Sequence, residues 1–402
     1  MGALAYSQRW AAFFKRYDHW RYFFAEWNKI MYLKSYRKHH NTGALEKSLH
    51  HGIRWLIHSI SRGTDRGSGT YYHHSGWTSS YPETTGYIIP TLVRYAQNEE
   101  GPWAKNAEAA ALEAGKWLLE IQHSDGGWPG GYMHQKRGAV VFNTGQILRG
   151  MRALYLFTGE EKYKASAHRA ILWVWKQLDA EGKFSSNDFM GAVRVYGTYV
   201  VAPILEWLPH FEADKDGWEA KARLHLDWVL TQQQDNFWLA NCDNTEHKNH
   251  KPIIHTIAYT LDGLFDSGGL LKDEKYMNAA IGGAEILAQK FIERGLLHGR
   301  YDKRWHGSEA FIPTGGAQLA ILWHKIARAD TEAFWAEEAR SSMNVLLSVI
   351  ATNGARTALD VGGALQGSFP MWGRYETFGL PNWATKYMAD SLMNELNWSN
   401  ER

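Results

Sequence analysis

Two hydrophobic patterns alternate along this chain. Six segments open on a small or capping residue and then run apolar on nearly every side: TTGYIIPTLVRYA from Thr84, NTGQILRGMRALYLF from Asn143, YGTYVVAPILEWL from Tyr196, HTIAYTLDGLF from His255, TGGAQLAILWHKIA from Thr314 and NWATKYMADSLMNEL from Asn382. Between them lie segments with apolar residues on one helical face and charges on the other, at roughly 45–61, 103–122, 162–178, 218–233, 274–293 and 331–350. A helix that is apolar all round is surrounded by protein, whereas a one-faced helix keeps a wet side. Period-two alternation is scarce, so strands contribute little.

Six inner and six outer helices in strict alternation predict an all-α fold, an (α/α)6 toroid of six helical hairpins closed into a ring. Each inner helix passes to the next outer one through a short connection such as NEEGP or TGEE, as antiparallel hairpins require. Each outer helix reaches the next inner one through about 16 to 30 residues, so all six long loops leave the ring at one end. The domain reading is a helical extension over 1–40 and a toroidal catalytic domain over 41–402. Long loops in a compact domain are where function sits, and the second of them, SDGGWPGGYMHQKRGAVVF, is rich in glycine, rings and charges.

Composition narrows the ligand. The net charge of +2 over 402 residues excludes a strong field for nucleic acid. Twenty Trp and twenty Tyr, many in polar glycine-rich surroundings, suit a sugar, which offers an apolar C–H face and a hydroxyl rim. The single cysteine, Cys242, excludes an internal disulfide. The N-terminus carries charges every few residues and resembles neither a signal peptide nor a membrane span. It reads as an aromatic, basic amphipathic helix lying on the domain, with peripheral contact to a membrane surface as the other reading. The expected compartment is the cytoplasm, with the periplasm or secretion left open if a leader has been removed.

A cleft mixing Arg, His, Tyr, Asn and Trp fits an anionic glycan containing uronic acid. The main expectation is β-elimination. Asn143 with Arg194 would neutralise the uronate, His255 would take the C5 proton, and Tyr259 or Tyr196 would protonate the leaving oxygen. His134 is of the same chemical type. Trp77, Trp128, Trp305 and Trp372 would be stacking platforms, with Arg137, Arg374 and Tyr375 completing the substrate-binding lining. C5 epimerisation would use the same proton abstraction.

The alternative is glycoside hydrolysis by two carboxyl groups. Glu83 is the best placed, just before an inner helix, among the loop acids Asp125, Asp188, Asp243, Glu309 and Glu376. A third reading is a non-catalytic glycan-binding protein. His247, His250 and His255 lack a metal-site spacing, and no phosphate-cradling loop, dinucleotide fingerprint or nucleophile elbow occurs, so no cofactor and no metal are expected.

The motifs YPETTGY, FNTGQILRGMRALY, HTIAYTLDGL, TGGAQLAILW and GSFPMWGRYETFGLPNWATKYMADSL resemble the VpsJ-type bacterial polysaccharide biosynthesis family, whose members are described as prenyltransferase/squalene-cyclase-like repeat proteins of exopolysaccharide clusters. The resemblance spans about residues 45 to 395 and implies an (α/α)6 toroid acting on an extracellular polysaccharide or its precursor. It does not extend to cyclase chemistry, because the Asp-x-Asp-Asp proton donor of those enzymes is absent from this chain. Similar toroids carry uronate lyases, unsaturated glucuronyl hydrolases and glucuronyl epimerases.

Overall fold

The computed structural model describes residues 3–15, 19–32, 42–62, 65–188, 191–330, 332–350 and 362–397. Among these, fourteen α-helices account for nearly all regular structure. Two form the N-terminal extension, α1 (Ala3–Phe14) and α2 (His19–Tyr32). The outer helices are α3 (Thr42–Ser61), α5 (Pro102–Ile121), α7 (Glu161–Trp175), α9 (Lys215–Leu230), α11 (Glu274–Arg294) and α13 (Ala333–Val349). The inner ones are α4 (Pro82–Asn98), α6 (Val141–Thr158), α8 (Thr198–Trp207), α10 (Ile254–Leu271), α12 (Pro313–Ala329) and α14 (Asn382–Glu395). The two patterns of the sequence are therefore the two layers of an (α/α)6 toroid.

The inner helices form a closed ring in chain order, α4 against α6, then α8, α10, α12 and α14, with α14 returning to α4. Five hairpins join neighbours in sequence, and the sixth joins the two ends of the toroid, α14 packing on α3. Long loops of 18 to 32 residues all follow outer helices, as their lengths predicted. They carry the only strands among the described residues: β1 (Tyr71–Tyr72), β2 (Gly76–Trp77), β3 (Arg300–Tyr301), β4 (Gly307–Ser308) and β5 (Gly379–Leu380). Antiparallel β1 pairs both β2 and β5, tying the first long loop to the sixth.

The recurring small-residue openings of the inner helices have a packing cause. A Cβ on Gly86 would lie 2.6 Å from the Cα of Ile147, one on Gly145 2.5 Å from Val200, and one on Gly315 2.6 Å from Ile254. Adjacent inner helices thus touch through their glycines, which lets six of them fit around one axis. The threonines beside them have a second task. Thr85, Thr144 and Thr385 accept the backbone N–H of Ser68, Trp128 and Leu365 at 2.8, 3.0 and 2.9 Å. Thr84 lines the cavity at this end of the ring, whereas the three acceptors pin the preceding loops.

The extension is built into the sixth loop. Glu26 accepts hydrogen bonds from the amide of Gln366 and from the Met371 N–H, and Lys29 donates to the Ile350 carbonyl at 2.7 Å. Trp10 meets Phe378 edge-on at 5.1 Å. Residues 33–41 of the extension and 351–361 of the sixth loop lie outside the described residues.

Candidate active site

At the long-loop end of the ring a cavity of about 250 Å³ opens over the starts of the inner helices. Its walls come from four places. Tyr81, Glu83, Thr84 and Tyr87 belong to the start of α4. Tyr132, Gln135 and Arg137 come from the loop before α6. His255, Thr256 and Tyr259 lie on α10 with Asn244 before it. Tyr375, Glu376 and Trp383 come from the sixth loop and α14. Phe142 and Tyr196 complete the lining.

Rings close the floor. Tyr259 stacks on Tyr199 at 4.6 Å, Phe142 tilts against Tyr259 at 5.2 Å, and the Tyr387 and Tyr199 hydroxyls meet at 3.4 Å. Below this layer Arg149, Lys325 and Lys386 line a separate cavity, with Lys325 paired to Asp262 and Asp266 and Lys386 to Asp390.

Two carboxyl groups reach the upper cavity. Glu83 sits in the first turn of α4, buried beside the Tyr81 hydroxyl, and burial pushes its carboxyl up to about 7. The positive helix terminus would favour its ionised form, but loss of water outweighs that. Glu376 receives a hydrogen bond from the Tyr72 hydroxyl. Its carboxyl is also raised by burial, opposed by Tyr72 and by the charge of Arg9 on α1. Tyr132 lies within the field of both acids, and burial first, then Glu376, raises its phenol.

The opposite wall is neutral. Burial lowers the His255 imidazole to about 3, so the ring carries no charge at neutral pH. The Asn244 side-chain amide lies 3.2 Å from Nε2. An amide N–H donates, so Nε2 accepts and the ring proton sits on Nδ1, which has no partner in the protein. Tyr375 packs on this imidazole at 5.1 Å and accepts from the Trp383 indole at 3.0 Å. Asn143 is fully buried, with its side-chain amide beside the Tyr81 hydroxyl.

Glu83, Tyr196, His255, Tyr259, Arg137 and Tyr375 of the expected set therefore share one cavity. The elimination set as a whole is not assembled. Arg194 lines a different recess, with Gln232 and Asn241. His255 is too weak a base to take a carbon-bound proton readily, and burial raises the Tyr259 phenol far above its ordinary value. His134 is exposed, bonded to Ser79 Oγ at 2.7 Å outside the lining, and it is its neighbour Tyr132 that reaches the cavity.

The tryptophan platforms are elsewhere too. Trp128 is fully buried, its indole donating to the Leu118 carbonyl at 2.7 Å. Trp305 is buried with its indole bonded to the Asn236 carbonyl at 3.0 Å. Trp77 stacks on Trp55 at 5.2 Å, and Trp372 is covered by Trp10 and Phe23. Arg374 is exposed and outside the lining. Buried Trp is satisfied by one carbonyl, so these rings hold loops in place. Among the other acids, Asp243 and Glu309 are bound to Arg300, and Asp125 accepts from the Trp173 indole at 3.1 Å.

Tyr81, Tyr132, Asn244 and Trp383 were not singled out from the sequence. Tyr81 and Trp383 flank inner-helix starts, which is the signal that would have found them. Among the described residues no three His, Cys, Asp or Glu are grouped to hold a metal ion. Cys242 is buried, its thiol pushed up to about 12 by burial.

The sequence matches no family model and no curated protein. Solved structures do match. One is an unsaturated glucuronyl hydrolase specific for heparin, with a TM-score of 0.70 at 16% identity, covering 89% of this chain and 98% of the other. Another, from Bacillus sp. GL1, is an unsaturated glucuronyl hydrolase responsible for the degradation of glycosaminoglycan, with a TM-score of 0.69 at 11% identity over 87% and 96%. A third is described as a novel alpha-amylase from Clostridium perfringens, at 0.62 and 11% over 86% and 98%. At such identities the likeness is one of fold, the (α/α)6 toroid that the VpsJ-type resemblance also implied.

Proposed function

We propose that this chain is a carbohydrate-active enzyme of the hydrolase kind, removing a terminal uronic-acid sugar from an anionic oligosaccharide. The observation that carries the reading is a pair of carboxyl groups, buried Glu83 and half-buried Glu376, on one small cavity. Glu83, near 7, still carries its proton in about half of the molecules at neutral pH and is poised to give it up, which is what a general acid requires. Glu376, with the Tyr72 hydroxyl fixing its orientation, is the second carboxyl and orders the attacking water.

The size of the cavity supports action at a chain end. About 250 Å³ is below the roughly 300–1,000 Å³ of pockets for drug-sized ligands and far from a polymer groove. Arg137, exposed at the mouth, is the cation of the lining available to a uronate. The names of the toroidal neighbours, unsaturated glucuronyl hydrolases, agree with this substrate class. β-Elimination finds less support, because its cation and its base are not brought together.

Incubation with uronic-acid disaccharides bearing a 4,5-double bond separates the two chemistries by sign. Hydrolysis releases the unsaturated sugar, whose ring opens and tautomerises to a keto acid without the conjugated double bond, so ultraviolet absorbance falls while a free sugar is released. Elimination from saturated uronic-acid glycans makes that chromophore, and absorbance rises. A rise on the saturated glycans with no turnover of the disaccharides would overturn the proposal.

A further inference from the structure

The second helix of the extension carries a second apolar face, turned away from the domain. Its polar residues His19, Glu26 and Lys29 point inward and are buried. Tyr22 packs inward with them, but four other large apolar residues point outward: Trp20 is 43% exposed, Phe24 59%, Trp27 49% and Met31 65%. These four lie at i, i+4, i+7 and i+11, one continuous stripe along a helix. Ring contacts make it a single patch. Phe14 tilts against Trp20 at 4.3 Å, Trp20 reaches Phe24 at 6.3 Å, and Phe23 stacks on Trp27 at 6.3 Å. Glu26 and Lys29 are fixed to the sixth loop, so the helix cannot roll to hide this face without breaking those bonds.

Charge says what the patch meets. Residues 1–40 contain eight Lys/Arg and two Asp/Glu, a net +6. The whole chain is +2, so the other 362 residues sum to −4. Lys15 and Arg21 are exposed beside the stripe. Aromatic residues on one face flanked by basic ones describe a helix lying in the headgroup region of an anionic bilayer, its rings at the depth that Trp favours. No described helix is long and apolar enough to cross a membrane, so the contact is in-plane. An exposed patch of this kind on a soluble surface would be an aggregation liability without a partner.

We infer that α2 docks the protein onto an anionic lipid surface through Trp20, Phe24, Trp27 and Met31. The loop that holds α2 also carries Tyr375 and Glu376 into the cavity. Docking therefore fixes the mouth of the site relative to the bilayer.

Flotation of the full chain with equimolar phosphatidylglycerol–phosphatidylcholine vesicles tests this. Binding is expected, falling by about tenfold or more when NaCl is raised from about 0.05 to about 0.5 M. It should be absent on pure phosphatidylcholine and lost in a variant combining Trp20→Ser, Phe24→Ser, Trp27→Ser and Met31→Ser. All four side chains are exposed, so the variant should keep its unfolding midpoint. Equal binding by the variant, or none by the natural chain, overturns the inference. So does a natural chain that elutes as a dimer, binds no vesicles and becomes monomeric in the variant, which would make the patch a homotypic interface.

Discussion

Replacing Glu83 by Gln tests the site most directly, because one substitution has two consequences that must agree. Glu83 is buried and its carboxyl moves from 4.5 in the ordinary state to about 7 in the fold. Between those values the native protein holds a proton that the unfolded chain has released. Raising the pH through that window therefore favours unfolding: the stabilisation is complete below about 4.5 and lost as pH passes 7. At about 1.4 kcal/mol per unit the loss is about 3 kcal/mol. Gln cannot ionise, so Glu83→Gln should lack this component.

Urea unfolding of both proteins at pH 5 and at pH 8 supplies the measurement. The natural chain should lose about 2.5 kcal/mol more than the variant across that range. Turnover should vanish in the variant, and the natural enzyme's rate should fall as pH rises through about 7, the sign of an acid that must be protonated. Parallel stability curves for the two proteins, or a variant that keeps full activity, would refute both the buried neutral carboxyl and its role.

Three further outcomes follow from the packing. Trp128→Ala should cost about 3–5 kcal/mol of stability and free the Leu118 carbonyl, and a stable variant with weakened sugar binding would restore the ring as a platform. Gly86→Ala forces a Cβ to 2.6 Å from Ile147 and should lower stability by about 1–3 kcal/mol, read as a lower melting temperature; an unchanged one would mean the inner helices are not so closely fitted. The His255 ring should show no titration by NMR between pH 5 and 8, since burial holds its value near 3, and a midpoint near 6.5 would show that water reaches it.

The fold was legible because hydrophobic periodicity is a local property. Apolar all-round segments from Thr84, Asn143 and Asn382, set against one-faced segments between them, announce which helix is inside before any contact is known. Loop length then decides which end the loops leave. The same logic located Glu83 and His255, because residues at an inner-helix start must lie near the mouth of the ring. It misjudged tryptophan, because composition cannot tell a ring that stacks on a sugar from one that donates to a carbonyl, as Trp128 and Trp305 do.

The sequence by itself determined the number of hairpins, their order and the end of the ring at which the long loops leave. Only the tertiary structure decided that Glu376 joins Glu83, that Arg194 turns into a different recess, and that α2 shows Trp20, Phe24 and Trp27 to solvent while burying Glu26. The physical reason is that repeat patterns are written in residues a few positions apart. Burial, pairing and charge state are set instead by neighbours such as Tyr72 and Glu376, which lie 304 positions apart along the chain.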